Sequence, residues 1–165
     1  MILVLDFGSQ LTQMIARRLR ELNFYSEIQP FDFPIEKIKA MKPAGIILSG
    51  GPNSVYESGS PKRSVKELME IAPLLGICYG MQLIAHDLGG RVSPSDHREY
   101  GLMPLKWESD WGVRQHNVWM SHGDHVLAMP PGYQALAKSA GSPIAAMADF
   151  ARKRFAVQFH PEVVH

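Results

Sequence analysis

Cysteine is almost missing from this sequence: Cys78 is the only one among 165 residues. An internal disulfide is excluded, as is a CxxC metal or redox centre, and the low count suits a reducing compartment, so a cytoplasmic location is expected. A surplus of one charge is missing too. The 17 Lys and Arg face 16 Asp and Glu, which leaves nothing to hold the chain on nucleic acid or anionic lipid; neither kind of partner is expected. The apolar opening Met1 to Asp6 is too short for a bilayer span and lacks the basic start and cleavage pattern of a signal peptide. No repeat, heptad or low-complexity tract occurs, and no Pro/Gly/Ser-rich linker divides the chain, so one domain over 1–165 is expected.

What is present is 45% hydrophobic content, enough for a real core, distributed in short buried runs. Ile2 to Leu5 is an uninterrupted apolar run, as a strand covered on both faces requires. Leu11, Met14, Ile15, Leu19 and Leu22 then recur at helical spacing with Arg17, Arg18, Arg20 and Glu21 opposite, and Ser9 as N-cap. The alternation continues: Tyr25 to Gln29 as strand, Pro34 to Met41 as helix, Gly45 to Leu48 as strand, Lys62 to Ile71 as helix, Leu74 to Ile77 as strand, Met81 to Leu88 as helix. This predicts an α/β fold with a mostly parallel central sheet flanked by helices. Beyond Gly89-Gly90 the apolar runs (Val118 to Met120, Ala135 to Ala137, Ile144 to Met147, Phe155 to Phe159) are short and turn-separated, which predicts additional antiparallel strands in the C-terminal half.

Gly76-Ile77-Cys78-Tyr79-Gly80 has the G-x-nucleophile-x-G form of a sharp strand-to-helix elbow, with cysteine as the nucleophile. Small residues must flank such a turn because side chains there collide with the strand and helix. The elbow also puts the sulfur at a helix N-terminus, where free N–H groups and the macrodipole favour thiolate. Without this motif, Cys78 reads as an ordinary buried cysteine. Ser49-Gly50-Gly51-Pro52 follows a parallel strand and is expected at the same sheet edge, where the N–H groups of Gly51 and Tyr79 would form an oxyanion hole. A phosphate cradle is disfavoured because no Lys-Ser/Thr pair follows.

In Phe155 to Glu162, alternation puts Phe155, Val157 and Phe159 on one face and His160 and Glu162 on the other. Residues two apart in an extended segment are about 6.5 to 7 Å apart at Cα, so Glu162 can reach the imidazole of His160, and Pro161 holds His160 extended. Cys78, His160 and Glu162 are therefore the candidate catalytic triad. His122, Asp124 and His125 have the right atoms for a metal, but adjacent ligands in a loop without a third nitrogen or sulfur donor make a poor site, and no metal is expected.

These segments resemble the three signatures of class I, or triad-type, glutamine amidotransferases: Gly76-Ile-Cys78-Tyr-Gly80-Met-Gln82, Ser49-Gly-Gly-Pro52 and Phe159-His160-Pro-Glu162, in that family's order. Asp6-Phe-Gly-Ser-Gln10, Arg98-Glu-Tyr-Gly101 and Val118-Trp-Met-Ser-His-Gly-Asp124 resemble segments of the GMP synthetase branch. The resemblance implies that Cys78 attacks the side-chain amide of L-glutamine, that His160 protonates the departing ammonia, and that water releases glutamate from a thioester. It also implies that Gln82 and the backbone around Ser121 and His122 hold the substrate. By the same resemblance, ammonia passes to an ATP-pyrophosphatase domain or subunit that aminates XMP to GMP. ATP and Mg²⁺ belong to that partner, and this domain needs no cofactor.

Two departures accompany the likeness. Members of the family continue past His-Pro-Glu into a helix that covers the sheet, whereas Val163, Val164 and His165 are all that follow here, so an exposed apolar face is expected. The stretch Leu102 to Asn117 is short for the family, and its Trp107, Trp111 and Gly112 match none of the family's motifs. A non-catalytic module of the same fold, or a glutaminase serving another synthetase, are the alternative readings. A domain that works in a complex, or as part of a longer chain, is expected.

Overall fold

Short apolar runs become the centre of a nine-stranded sheet in the computed structural model, which describes residues 1–108 and 115–164. Trp111 and Gly112 lie outside the described residues. The first half alternates strand and helix: β1 (Ile2–Asp6), α1 (Thr12–Glu21), β2 (Ser26–Pro30), α2 (Ile35–Met41), β3 (Gly45–Leu48), α3 (Val65–Met69), β4 (Leu74–Ile77) and α4 (Tyr79–Asp87). Strands alone follow: β5 (Arg91–Trp107), β6 (Gln115–Ala128), β7 (Gln134–Ser139), β8 (Ser142–Asp149) and β9 (Arg154–Val157). The sheet runs β2-β1-β3-β4-β9-β8-β7-β5-β6. Its first five strands pair in parallel and the remaining pairings are antiparallel, as the α/β reading requires.

The inner parallel strands β1, β3 and β4 are apolar on both faces because both are covered near their centre. Leu3, Leu5, Ile46, Leu48 and Leu74 pack with Ile38 of α2, Leu68 of α3 and Met81 of α4. Val4, Ile47 and Ile77 point the other way, onto Ile15 and Leu19 of α1. Each buried Leu or Ile contributes about 1.5–3 kcal/mol. Helix α1 packs on β1 and β2. Farther along the same face, Leu75, Phe155 and Val157 join Trp107, Leu136 and Ala146 around an open apolar cavity of about 280 Å³.

Local details differ from the sequence reading in four places. Ser9 is not an N-cap: α1 starts after Leu11, and the Ser9 hydroxyl accepts from the Leu11 N–H at 2.9 Å instead. The helix expected from Lys62 begins only at Val65, where Ser64 accepts from the Glu67 N–H in a Ser-x-x-Glu cap. Phe155 to Val157 is antiparallel to β8 but parallel to β4, so it closes the parallel half rather than extending the antiparallel one. Strand β5 was not expected at all. Its stretch His97-Arg98-Glu99-Tyr100 carries no apolar period, and the strand is held by its ladder to β6, from Arg91 opposite Ala128 to Lys106 opposite Gln115.

Candidate active site

Strand β4 ends at Ile77 and α4 opens at Tyr79, so Cys78 alone makes the turn, at φ 53° and ψ −106°. A left-handed conformation of this kind costs a non-glycine residue about 1–3 kcal/mol and persists only where the surroundings impose it. Here they do. The Cys78 N–H donates to the Val157 carbonyl at 2.8 Å, the Gly80 N–H to the Ser49 carbonyl at 3.1 Å, and the Gln82 N–H to the Cys78 carbonyl at 3.1 Å. A Cβ on Gly80 would stand 2.4 Å from the Leu48 carbonyl oxygen, and one on Gly76 would stand 2.7 Å from that of Gly80. The glycines let β3, β4 and α4 close on one another, and the closure aims Cys78 out of the sheet edge.

The loop after β3 lies beside the sulfur. Its Ser49 hydroxyl accepts from the Phe7 N–H at 2.8 Å and donates to the Gly50 carbonyl at 2.9 Å. A Cβ on Gly50 would come within 3.0 Å of His160 and 3.5 Å of the Cys78 Cβ, so the loop lies against both residues with no space for a side chain there. Gly51 lines the same two cavities as Cys78. The Tyr79 side chain is directed away, its hydroxyl donating to the Pro61 carbonyl at 2.5 Å, which leaves only the backbone of Tyr79 for a role at the sulfur.

His160 and Glu162 meet, though not in an extended segment. The backbone turns at Pro161-Glu162, and the Val163 N–H reaches the His160 carbonyl at 3.3 Å. Proline in the second position of a β-turn presets its φ, so Pro161 bends the chain rather than keeping it straight. The bend brings Glu162 Oε1 to 2.5 Å from His160 Nδ1, with both residues buried. The His160 N–H donates to the Trp119 carbonyl at 2.8 Å, and Arg18 Nε of α1 donates to the Glu162 carbonyl at 3.1 Å. Burial of the ring disfavours its charge, but hydrogen bonding and charge from Cys78 and Glu162 outweigh this and push His160 up to about 10. The imidazole is thus held protonated at neutral pH beside the sulfur.

Two adjoining cavities open over Cys78. One, of about 370 Å³, is lined by Ser9, Gly51, Trp119, Ser121 and His160; the other, of about 270 Å³, by Asn53, Gln82, Tyr100, Ser121 and Asp124. A larger cavity of about 640 Å³, beside the end of β2, shares Asn53 with the second but holds none of Cys78, Gln82, Ser121 and His160, and no nucleophile–base pair. Among the sequence-predicted ligand residues, Ser121 places its carbonyl oxygen 3.5 Å from the sulfur, and Gln82 is buried at the cavity floor. The His122 side chain turns inward instead. Its Nδ1–H faces the Asp124 carbonyl at 2.7 Å and its Nε2 lies 2.8 Å from Glu99 Oε1, so only its backbone is left for a ligand. His125 faces the Gly141 carbonyl, and the Asp124 carboxylate accepts from Ser54 and Tyr56 at 2.6 Å each. These three side chains diverge, and among the described residues no group of three or more metal-ligating side chains gathers.

Four contributors escaped the sequence reading. Glu99 is fully buried under the Ser121–Asp124 segment, where burial raises its carboxyl but hydrogen bonds from His122, Ser139 and the Gly141 backbone prevail and hold it below its ordinary range. Strand β5 bulges to place it: four residues, Ser95 to Arg98, face Gly123 alone, which sets Glu99 opposite His122. Gln158 Nε2 stands 3.5 Å from the Cys78 sulfur. The alternation that set His160 apart from Phe159 also puts Gln158 on the His160 face, a signal that was present. The roles of the Asp124 carboxylate, accepting from Ser54 and Tyr56, and of Arg18, donating to the Glu162 carbonyl, carry no sequence signal, since these partners are far away in the chain.

The profile of the family described as glutamine amidotransferase class-I matches residues 3–165. A GMP synthase [glutamine-hydrolyzing] of Bdellovibrio bacteriovorus is 57% identical over 98% of this chain, and one of Brachyspira hyodysenteriae is 49% identical over 99%. The chain spans about a third of the length of these relatives, 32% and 33%. Among solved structures, a Thermoplasma acidophilum protein provisionally assigned as one subunit of a GMP synthase superposes with a TM-score of 0.87 at 29% identity, covering 99% of this chain and 85% of that one. A Thermotoga maritima glutamine amidotransferase shares the fold, with a TM-score of 0.74 at 23% identity over 98% of this chain and 76% of that one. An elbow cysteine opposite a buried His-Glu pair, on this sheet and with this profile, places the chain in the class-I glutamine amidotransferase family.

Proposed function

We propose that this chain is the glutamine-hydrolysing portion of a GMP synthase. The observation that carries the reading is the junction of Cys78, on its strained turn, with the His160–Glu162 pair in one cavity of suitable size. The Cys78 thiolate attacks the side-chain carbonyl of glutamine, forming a C–S bond and an oxyanion that the Gly51 and Tyr79 N–H groups receive. His160 gives its proton to the nitrogen as the C–N bond breaks, releasing ammonia; Glu162 keeps the ring in the orientation this requires. Water, deprotonated by the now neutral His160, then adds to the thioester. The C–S bond breaks with its electron pair on sulfur, and glutamate leaves. Gln82 and the backbone of Ser121 and His122 line the space for the amino and carboxylate groups of the substrate.

Ammonia is passed, in this reading, to an ATP-pyrophosphatase domain or subunit that uses ATP and Mg²⁺ to aminate XMP. The names of the 57% and 49% identical relatives, both GMP synthases, support that partner. No described helix is long and apolar enough to cross a membrane, and the single cysteine suits the cytoplasm. The test is glutamate release from glutamine, with and without the synthetase partner, in wild type and Cys78→Ala. A loss of at least about a thousandfold is expected in the variant; wild-type turnover by Cys78→Ala would refute the reading.

A further inference from the structure

Gln158 is wholly buried, between the end of β9 and His160, and nothing in the triad scheme uses it. Its amide nitrogen stands 3.5 Å from the Cys78 sulfur, within hydrogen-bonding reach of an atom as large as sulfur. Its amide oxygen accepts from Gln82 Nε2 at 3.2 Å, and that Gln82 nitrogen also donates to the Asp124 carbonyl at 3.2 Å. The direction of this chain is set at its far end. A backbone carbonyl only accepts, so Gln82 must present its NH₂ group to Asp124; its second N–H then meets the Gln158 oxygen. The Gln158 NH₂ is left facing the sulfur: turning the Gln82 amide over would set oxygen against oxygen, and turning the Gln158 amide over would set its NH₂ against that of Gln82 and its oxygen against the sulfur.

We infer that Gln158 is a further catalytic residue, a neutral hydrogen-bond donor to the Cys78 sulfur that Gln82 and the Asp124 carbonyl hold in place. The inference rests on the proposed glutaminase chemistry and adds a step-specific role to it. Unlike His160, a carboxamide gives up no proton; it stabilises negative sulfur over the neutral sulfur of a thioester. Its contribution therefore grows as water adds, the C–S bond breaks and the electron pair returns to Cys78. Hydrolysis of the thioester is the step that depends on it.

Gln158→Met keeps the volume and removes the donor. In the chain together with its synthetase partner, kcat is expected to fall about tenfold, as the loss of a hydrogen bond to a charged group implies. KM should fall with it, and acid-quenched samples should show more glutamyl thioester on Cys78 than wild type. A structural role alone would lower kcat without thioester build-up. That result, or a wild-type kcat, overturns the inference. If Gln158→Met does not fold, the wild-type chain still decides: the NMR cross-peaks of the Gln158 side-chain amide must shift when Cys78, the only cysteine, is alkylated, and unmoved peaks overturn the contact. A wild-type chain that releases no glutamate beside its partner counts against the proposed function instead.

Discussion

Glu162 reaches His160 from the far side of a proline turn, its Oε1 standing 2.5 Å from Nδ1 although a single residue separates the two. The carboxylate fixes which ring nitrogen faces Cys78. Glu162→Gln keeps the shape but offers an amide that no longer stabilises the imidazolium. Glutaminase kcat should drop about a hundredfold to ten-thousandfold, the range for loss of a triad's third member. Steady-state kinetics with glutamine check this, and a variant within threefold of wild type would remove Glu162 from the mechanism.

Stability should depend on pH through two buried groups of opposite sign. His160 rises from an ordinary 6.5 to about 10 in the fold, so its contribution is complete below pH 6.5 and is lost as pH climbs towards 10. Glu99 is lowered from an ordinary 4.5, so its contribution is complete above that value and is lost as pH falls below it. Thermal melts across pH should show a plateau between these limits. Glu162→Gln should flatten the alkaline slope and Glu99→Gln the acid one; unchanged slopes would contradict the assignment.

The elbow tolerates no side chain at Gly80. A Cβ there meets the Leu48 carbonyl oxygen at 2.4 Å, and that atom belongs to the strand backbone rather than to a flexible side chain. Gly80→Ala should cost about 1–3 kcal/mol or more. At about 2–4 °C per kcal/mol for a domain of this size, melting should fall by several degrees. Gly59→Ala, with nothing near its Cβ but a φ of +84°, should cost less, from backbone strain alone.

Glu99 and His122 form a buried pair beneath the wall of the cavity, joined by Ser139 donating to Glu99 at 2.8 Å. Removing one partner strands the other in a dry interior. Glu99→Ala should destabilise by about 3–5 kcal/mol, measured by denaturant melts, and should raise KM because Ser121 and Asp124 lose their brace. Melting and KM both at wild-type values would show that the pair holds nothing.

Much of this was legible in residues near one another. The elbow at Gly76-Ile-Cys78-Tyr-Gly80, the strand–helix alternation to Leu88 and the pairing of His160 with Glu162 all depend on local spacing, and local spacing is what periodicity and turn chemistry report. Strand β5 was illegible because its first part, through Tyr100, is a mainly polar ribbon held by its pairing with β6, and its apolar Leu105 and Trp107 are buried or covered only by residues of other strands. The inward turn of His122 followed from the same bulge, which exists only once β5 and β6 are in register.

By itself, then, the amino-acid order determined which residues are the candidates for the chemistry and that the first half is a parallel α/β layer, because hydrophobic period and glycine placement act over a few residues. Tertiary structure alone decided that β9 docks beside β4, which brings His160 to Cys78 from far along the chain and sets Gln158 behind the sulfur. The reason is physical. Pairing between strands so far apart is chosen by burial and backbone hydrogen bonding over the whole sheet, and no short window of sequence contains that comparison.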